Sequence, residues 1–459
     1  MPRGGSVPAH APGPDDFVRL DRYPFVIVSW VADDGFPVSV ATDFETDAEA
    51  GIVMLRLPAG ESQRIPEDRT ASVVGSHIRP QPGQGYDERR YLQLWGTAAM
   101  ADDGRLRFTP TRAWGWDEQE VPFFEYSERS VPQSRHYLAQ LSAEKGRIIR
   151  PRLALGSLVL RTTRLPFLSA TFVPVLLGIA IAASHGAFSW WLALLTVIGG
   201  AFAHLAINVA NDIFDTLSGA DEANPNPTKF SGGSRVVLYD LVTLRGLIAL
   251  DVALFGAAAA IGLLLVWATG SLTLLVIGLA GIAIGLAYTA PPLKLVYRGL
   301  GEIAVALGFG PIMLLGAYVV QTGTLSWEAA VASVPVAILI SLVLYVNEIP
   351  DRPGDAAAGK GTLPVRLPAD VVTRLYLVAA LVAFALIVAG VVVGLFPPFT
   401  LLALAAAPLA LRVYDGIRAN YTSPYALMGV MAINVSLHLF VGVGLLAGYV
   451  IAILVGAFA

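Results

Sequence analysis

Two short runs of acids and amides, each closing a long apolar stretch, carry the chemical signal of this chain. The first reads His204-Leu-Ala-Ile-Asn208-Val-Ala-Asn211-Asp212-Ile-Phe-Asp215-Thr-Leu-Ser-Gly219-Ala-Asp221. On a helix, positions 204, 208, 211/212 and 215 share one stripe, so two amides and two carboxylates project along one line. The second reads Asn347-Glu348-Ile-Pro350-Asp351-Arg352-Pro353-Gly-Asp355, with Asn347, Asp351 and Asp355 four apart. Carboxylates at the lip of a membrane helix are costly unless paired or bound to an ion, so they read as functional. Mg²⁺ takes one or two protein carboxylates and completes its octahedron with phosphate oxygens and water. The pairs Asp212 with Asp215 and Asp351 with Asp355 therefore suit a diphosphate carried by two or more Mg²⁺ ions. Solvated charges just beyond helix ends are the competing reading, and the recurrence of the pattern counts against it.

Anion partners recur nearby. Phe230-Ser231-Gly232-Gly233-Ser234-Arg235 is a Gly-rich turn whose N–H groups and guanidinium suit an anion. Lys294 and Arg298, in Tyr288-Thr-Ala-Pro-Pro292-Leu-Lys294-Leu-Val-Tyr297-Arg298, and Lys360 in Gly359-Lys360-Gly361 add cations. Together with Arg235 they give the acidic, Mg²⁺-loaded cavity a counter-charge for the leaving group. Taken singly, each cation could equally be a membrane-anchoring residue. Asp221, Tyr288, Asn347 and Glu348 are candidates for the acceptor side of the cavity. Asp251 and Glu302 could face the cavity or a structural partner, and His204 reads as a satisfied core histidine.

The elements that position these residues follow from hydropathy. Of 459 residues, 55% are hydrophobic and 14% charged, too apolar for an ordinary soluble protein. Residues 1–164 hold 20 of the 31 Lys+Arg and 22 of the 35 Asp+Glu. A charged front third thus precedes an apolar remainder. Membrane-length runs lie near 165–186, 189–210, 242–267, 271–288, 300–321, 328–347, 371–395, 397–414 and 425–457, which predicts about nine transmembrane helices. With nine spans, every Lys and Arg after Arg164 falls on one face, together with Arg161 and Arg164. The connections near 187, 269, 325 and 396 have none. The basic face is the cytoplasmic one. This predicts a multi-pass protein of the cell inner membrane, with front third and acidic segments in the cytoplasm and C-terminus outside. No cysteine is present, which removes thiol catalysis, disulfides and zinc–thiolate sites. A net charge of −4 without a basic, aromatic-laced stripe predicts no nucleic-acid partner.

The rear two-thirds, residues 160–459, resembles the UbiA-type superfamily of intramembrane aromatic prenyltransferases. Asn211-Asp212-Ile-Phe-Asp215 is similar to its first motif. Asp351-Arg-Pro-Gly-Asp355, followed by Gly359-Lys360-x-Thr362-Leu363, is similar to its second. Gly219-Ala-Asp221, Ser231-Gly-Gly-Ser-Arg235, Tyr288-Thr-Ala-Pro-Pro292 and Tyr297-Arg298-Gly-Leu-Gly-Glu302 most resemble the 1,4-dihydroxy-2-naphthoate branch. The resemblance implies an enzyme that uses Mg²⁺, a prenyl diphosphate and an aromatic acceptor within the lipid bilayer, in menaquinone synthesis. It implies that Asp212, Asp215, Asp351 and Asp355 hold the metal, with Asp215 and Asp351 catalytic, and that Asn208, Asn211, Arg235, Lys294, Arg298 and Lys360 bind the diphosphate. Many relatives carry a third Asp four residues after Asp215; this chain has Gly219 there, and Asp221 could take over. A hydroxybenzoate, a homogentisate-like ring or glycerol phosphate are alternative acceptors. An ion-coupled transporter is the reading of a different class, which would place acids at mid-bilayer instead of at one face.

Residues 1–16 read as a disordered lead. Residues 17–150 form a predicted soluble, mostly-β small barrel, with short strands at 25–30, 38–41, 52–57, 71–74, 91–95 and 106–108. Asp33-Asp34-Gly35 and Asp102-Asp103-Gly104 punctuate them, and a helix follows near 133–146. The strand order and Tyr91 to Gly96 resemble the flavin-binding split barrel of the pyridoxamine-phosphate-oxidase type. That resemblance implies a flavin or deazaflavin cofactor and a two-function enzyme; a barrel used for regulation, dimerisation or docking is the alternative.

Overall fold

The computed structural model describes residues 9–58, 69–80 and 86–456. The chain falls into two compact units, Met1–Tyr137 and Leu138–Ala459.

In the first unit, helix α1 (Pro14–Leu20) precedes six antiparallel strands: β1 (Val26–Val31), β2 (Pro37–Asp47), β3 (Ile52–Arg56), β4 (Arg69–Pro80), β5 (Tyr86–Met100) and β6 (Leu106–Asp117). They close as a barrel in the order β1-β2-β3-β6-β5-β4, with β1 pairing back onto β4. Period-two alternation drives the closure. Val26, Val28 and Trp30, then Val53 and Leu55, Val73, Leu92 and Leu94, and Leu106 and Phe108 all turn inward. The two Asp-Asp-Gly turns sit where expected, Gly35 and Gly104 taking φ of 83° and 78° that other residues avoid. Leu55, fully buried, tests the core. Leu55→Ala is expected to cost about 2–5 kcal/mol, read as an earlier urea transition of barrel tryptophan fluorescence.

Strands β4, β5 and β6 outrun the expected segments. β6 passes through Pro110, which pairs with Gly96 next to a bulge at Thr111, a place where a strand accommodates proline. Of the lead expected over residues 1–16, residues 9–16 are built into the fold. Residues 1–8 lie outside the described ones, but His10 pairs with Ala113 through both backbone groups, and α1 sinks Phe17 and Leu20 into the barrel core. The Pro- and Gly-rich composition of the first fourteen residues masks that apolar helix. Helices α2 (Phe123–Arg129) and α3 (Val131–Glu144) follow. Tyr126 on α2 stacks on Trp116 with centroids 4.6 Å apart and shares a 2.7 Å hydroxyl hydrogen bond with Tyr91, leaving a groove of about 120 Å³ beside Trp114 and Arg129.

The second unit is helical. It comprises α4 (Leu155–Thr163), α5 (Ser169–Ser184), α6 (Trp190–Ser218), the single turn α7 (Ala220–Ala223), α8 (Leu244–Thr269), α9 (Leu272–Thr289), α10 (Gly301–Leu307), α11 (Met313–Thr322), α12 (Trp327–Ala357), α13 (Leu363–Arg366), α14 (Ala369–Val392), α15 (Ala407–Asn420) and α16 (Leu427–Leu454). A wide turn at Gly308–Ile312 joins α10 to α11, and a tight one at Pro398–Ala406 leads into α15. Each of the nine expected spans falls on helical chain, the fifth on α10 and α11 together and the eighth on the Pro398–Ala406 turn with α15. Among the described residues, eight are long and apolar enough to cross a membrane; the ninth, α5, has 16 residues. This is a multi-pass membrane protein.

Small residues let the helices approach. A Cβ on Gly442 of α16 would meet Val173 of α5 at 2.4 Å, and one on Gly310 would meet Ala337 of α12 at 2.4 Å. Asn434 of α16 knits the core, accepting from the Tyr376 hydroxyl and donating to the Leu342 carbonyl, both at 2.8 Å.

Candidate active site

The two acid-bearing segments are the final turns of α6 and α12, not loops beyond them. Helix α6 runs to Ser218, past the expected end of its span, so Asn208, Asn211, Asp212 and Asp215 are all helical. Helix α12 continues through Pro350 and Pro353 to Ala357 and carries Asn347, Glu348, Asp351 and Asp355. Gly219, in the left-handed region at φ 76°, stops α6 and turns the chain toward α12.

The following loop ties the two ends together. Asn224 donates from Nδ2 to Asp351 Oδ1 at 2.7 Å, and the Gly232 N–H reaches Asp351 Oδ2 at 2.8 Å. The Ser234 N–H contacts both Asp212 oxygens at 3.2 Å. The Gly-rich turn, read from the sequence as an anion cradle, thus cradles the chain's own carboxylates. Glycine is required here: Gly233 sits at φ 75°, and a Cβ on it would lie 2.5 Å from Asp221 Oδ1. Asp221 is buried beside the turn, and burial with the charges of Asp212 and Asp215 pushes its carboxyl up to about 8. Its position is against this turn, not on the cavity wall.

Two cations complete the cluster. Lys360 lies 2.6 Å from Asp215 Oδ1 and 5.3 Å above the Tyr297 ring. Burial opposes its charge, but Asp215 and Asp355 outweigh that and push its pKa up. Arg164, in the left-handed region at φ 52°, donates to Asp212 Oδ1 at 2.6 Å. Asp355 feels Asp351, Lys360 and Asp215 together, so both helix ends share one electrostatic neighbourhood. Arg164 entered the sequence reading only through topology. Its one signal was a basic residue at the lip of the first span, on the face that carries the acids.

Other expected residues are placed differently. Arg235 donates to the Asn224 carbonyl at 3.2 Å and packs on Tyr239, bracing the loop. Lys294 sits over the Tyr297 ring at 4.9 Å, and exposed Arg298 donates to the Pro292 carbonyl at 3.2 Å. Glu348 is buried against Glu302, with no hydrogen-bond donor to either of its oxygens among the described residues. Asp251 is half-buried on α8. His204 is a core histidine, sharing a 2.8 Å hydrogen bond with Thr171 and meeting the Phe309 ring edge-on.

Beneath the acids opens a cavity of about 590 Å³ between α6, α8, α9, α10, α11 and α12. Its mouth carries Arg164, Asn208, Asn211, Tyr288 and Asn347, and its walls are mostly Ile, Leu, Val, Ala and Gly, with Phe255, Phe309, Met313 and His204 among them. A polar, charged mouth over a long apolar pocket suits a molecule with an anionic head and a hydrocarbon tail. No group of three or more His, Cys, Asp or Glu stands ready-made for a metal among the described residues. The carboxylates are present, but Arg164, Asn224 and Lys360 engage those of Asp212, Asp351 and Asp215. Asn347 Oδ1 and Asp221 Oδ2 are buried oxygens with no hydrogen-bond partner among the described residues, as expected where hard cations and their water would be accepted.

The sequence pattern of the UbiA prenyltransferase family matches residues 171–435, more than half of the chain. This protein belongs to the UbiA prenyltransferase family. As a UbiA prenyltransferase it is an enzyme that transfers alkyl groups other than methyl. It is 26% identical to the 1,4-dihydroxy-2-naphthoate octaprenyltransferase of Bacillus subtilis over 68% of this chain and 99% of that one. It is 30% identical to the 2-carboxy-1,4-naphthoquinone phytyltransferase of Synechocystis over 62% of this chain and 90% of that one. It is 34% identical to the 1,4-dihydroxy-2-naphthoate octaprenyltransferase of Mycobacterium tuberculosis over 54% and 81%. Among solved structures it is similar to an apo UbiA homolog from Aeropyrum pernix K1, with 19% identity and a TM-score of 0.47 over 61% of this chain and 97% of that one.

Proposed function

We propose that this UbiA prenyltransferase moves a prenyl group from a prenyl diphosphate to 1,4-dihydroxy-2-naphthoate, in menaquinone synthesis at the cell inner membrane. The observation that supports the reading most is the junction of the two acid-bearing helix ends over one deep apolar cavity. The relatives' printed substrates favour the naphthoate acceptor.

The tail of the donor lies in the cavity, and its diphosphate sits at the mouth. Asp212, Asp215, Asp351 and Asp355 would hold Mg²⁺, which, when bound, supplies positive charge against the diphosphate oxygens. Arg164 at the mouth and Lys360 on Asp215 are preorganised cations for the leaving group, and Asn208 and Asn211 offer amide donors. The allylic C–O bond breaks and its electron pair leaves with the diphosphate. The ring carbon bearing the carboxylate forms the new C–C bond, and the electrons of its bond to the carboxylate return to the ring as CO₂ departs. Tyr288 and Asn347, which line the cavity, would orient the acceptor. The acids lie on the final turns of two helices, in agreement with an enzyme open to the cytoplasm. The barrel groove of about 120 Å³ falls short of the roughly 300–1,000 Å³ that enclose organic ligands, so the described groove does not fit a flavin.

Purified protein incubated with Mg²⁺, prenyl diphosphates of several lengths and a panel of aromatic acids tests the reading. Prenylated naphthoquinol and released CO₂ are the expected products. Turnover of a hydroxybenzoate in place of the naphthoate would overturn the acceptor. Chelation of divalent ions is expected to reduce turnover by at least about a hundredfold, and added Mg²⁺ to restore it.

A further inference from the structure

The stretch just ahead of the first span has a composition found nowhere else in the chain. Residues 145–164 hold Lys145, Arg147, Arg150, Arg152, Arg161 and Arg164, and no Asp or Glu occurs between Glu144 and Asp212. The chain as a whole carries −4. Arg161 and Arg164 are engaged: Arg161 donates to the Ser234 carbonyl at 2.8 Å, and Arg164 holds Asp212. The other four are exposed; Lys145 and Arg147 hydrogen-bond only through their backbone N–H, to the Leu141 and Ser142 carbonyls, and none of the four side chains makes a hydrogen bond or ion pair among the described residues. Apolar side chains are exposed between and beyond them, Ile148 at 80% and Leu155 at 76%, with Leu153, Val159 and Leu160 also open. On α4, Leu158 and Thr162 face the bundle one turn apart, whereas Leu155 and Val159, likewise one turn apart, face out.

We infer that residues 145–160 dock on anionic phospholipid headgroups, with the four free cations on phosphates and the open Ile and Leu side chains dipping into the acyl boundary. Charge complementarity selects the occupant. Four unpaired cations next to apolar side chains, joined directly to a membrane-spanning segment, match a negatively charged bilayer surface. A purely apolar contact would leave the cations unexplained, and a soluble anion would leave the Ile and Leu side chains in water. The surface is coupled to the site through α4, whose far end carries Arg161 on the Ser234 loop and Thr163, whose carbonyl accepts from Asn208 at 3.4 Å. Lipid docking thus holds the helix that delivers Arg164 to Asp212. This inference stands apart from the identity of the acceptor.

The chain has no native cysteine, so Ile148→Cys places a single polarity-sensitive fluorophore in the full-length protein. Leu155→Cys serves as a second reporter should the first fold poorly. The labelled protein is reconstituted into phosphatidylcholine vesicles with and without phosphatidylglycerol. Emission is expected to move to shorter wavelength only with phosphatidylglycerol and to revert in high salt. Neutralising Lys145, Arg147, Arg150 and Arg152 to Gln is expected to weaken the response by about fivefold per residue. The same emission in both vesicle types, insensitivity to the fourfold change, or a matching shift in phosphatidylcholine vesicles given inorganic phosphate alone would each overturn the inference.

Discussion

Asp215→Asn is expected to lower prenyl transfer by at least about a hundredfold, with Asp351→Asn as severe, while both variants insert and fold. The size follows from what each carboxylate does. Asp215 is the counter-ion of buried Lys360, 2.6 Å away, and Asp351 accepts from both Asn224 and Gly232. An amide keeps the shape, so the helix packing survives, but it cannot ligate a hard cation with negative charge. At position 215 it also leaves Lys360 without its neutralising partner, which disturbs how the mouth receives a diphosphate. Turnover under saturating donor and acceptor, set beside thermal unfolding of the same preparation, separates the two effects. Wild-type turnover in Asp215→Asn would remove that residue from the site. Arg298→Gln is the contrasting change. Its side chain is exposed and donates to the Pro292 carbonyl, so turnover is expected to fall far less.

Much of this architecture is legible in the residues because the bilayer is a demanding solvent. A run such as 371–395 must be a helix, since nothing else satisfies its backbone in hydrocarbon, and α14 occupies Ala369–Val392. The acids at 212, 215, 351 and 355 were legible for the same reason: charge at a membrane lip is rare enough to be noticed. The barrel was legible through alternation, Val26, Val28 and Trp30 pointing one way. What stayed hidden was who satisfies whom. The motif Phe230 to Arg235 has the composition of an anion cradle, but composition cannot say that Asp351 and Asp212 are the anions it meets. Arg235 and Arg164 are the same residue type at the same face. Only folding sends one to a carbonyl and a tyrosine ring and the other to Asp212. Glu348 sits in the motif yet turns to Glu302, because a helix gives adjacent residues directions about 100° apart.

Gly354→Ala tests whether the junction itself matters, and it is expected to reduce turnover by about a hundredfold through a single methyl group. Gly354 lies between Asp351 and Asp355, where α12 passes the loop that follows α6. A Cβ there would sit 2.6 Å from the Asn224 Cα and 3.1 Å from its backbone nitrogen. No rotamer change relieves contact with backbone, so the loop must retreat. Retreat pulls Asn224 Nδ2 from Asp351 and, through the same loop, the Gly232 and Ser234 N–H groups from Asp351 and Asp212. The acids all remain in place on their helices; only the distance between the two clusters grows. Kinetics distinguishes this from loss of a ligand. Raising Mg²⁺ or donor concentration is expected not to restore kcat, whereas α6 and α12 should melt as in the wild type, since alanine favours a helix over glycine. If Gly354→Ala turns over normally, the two helix ends act without being held in register by the loop, and the coupling argued from Asn224 fails.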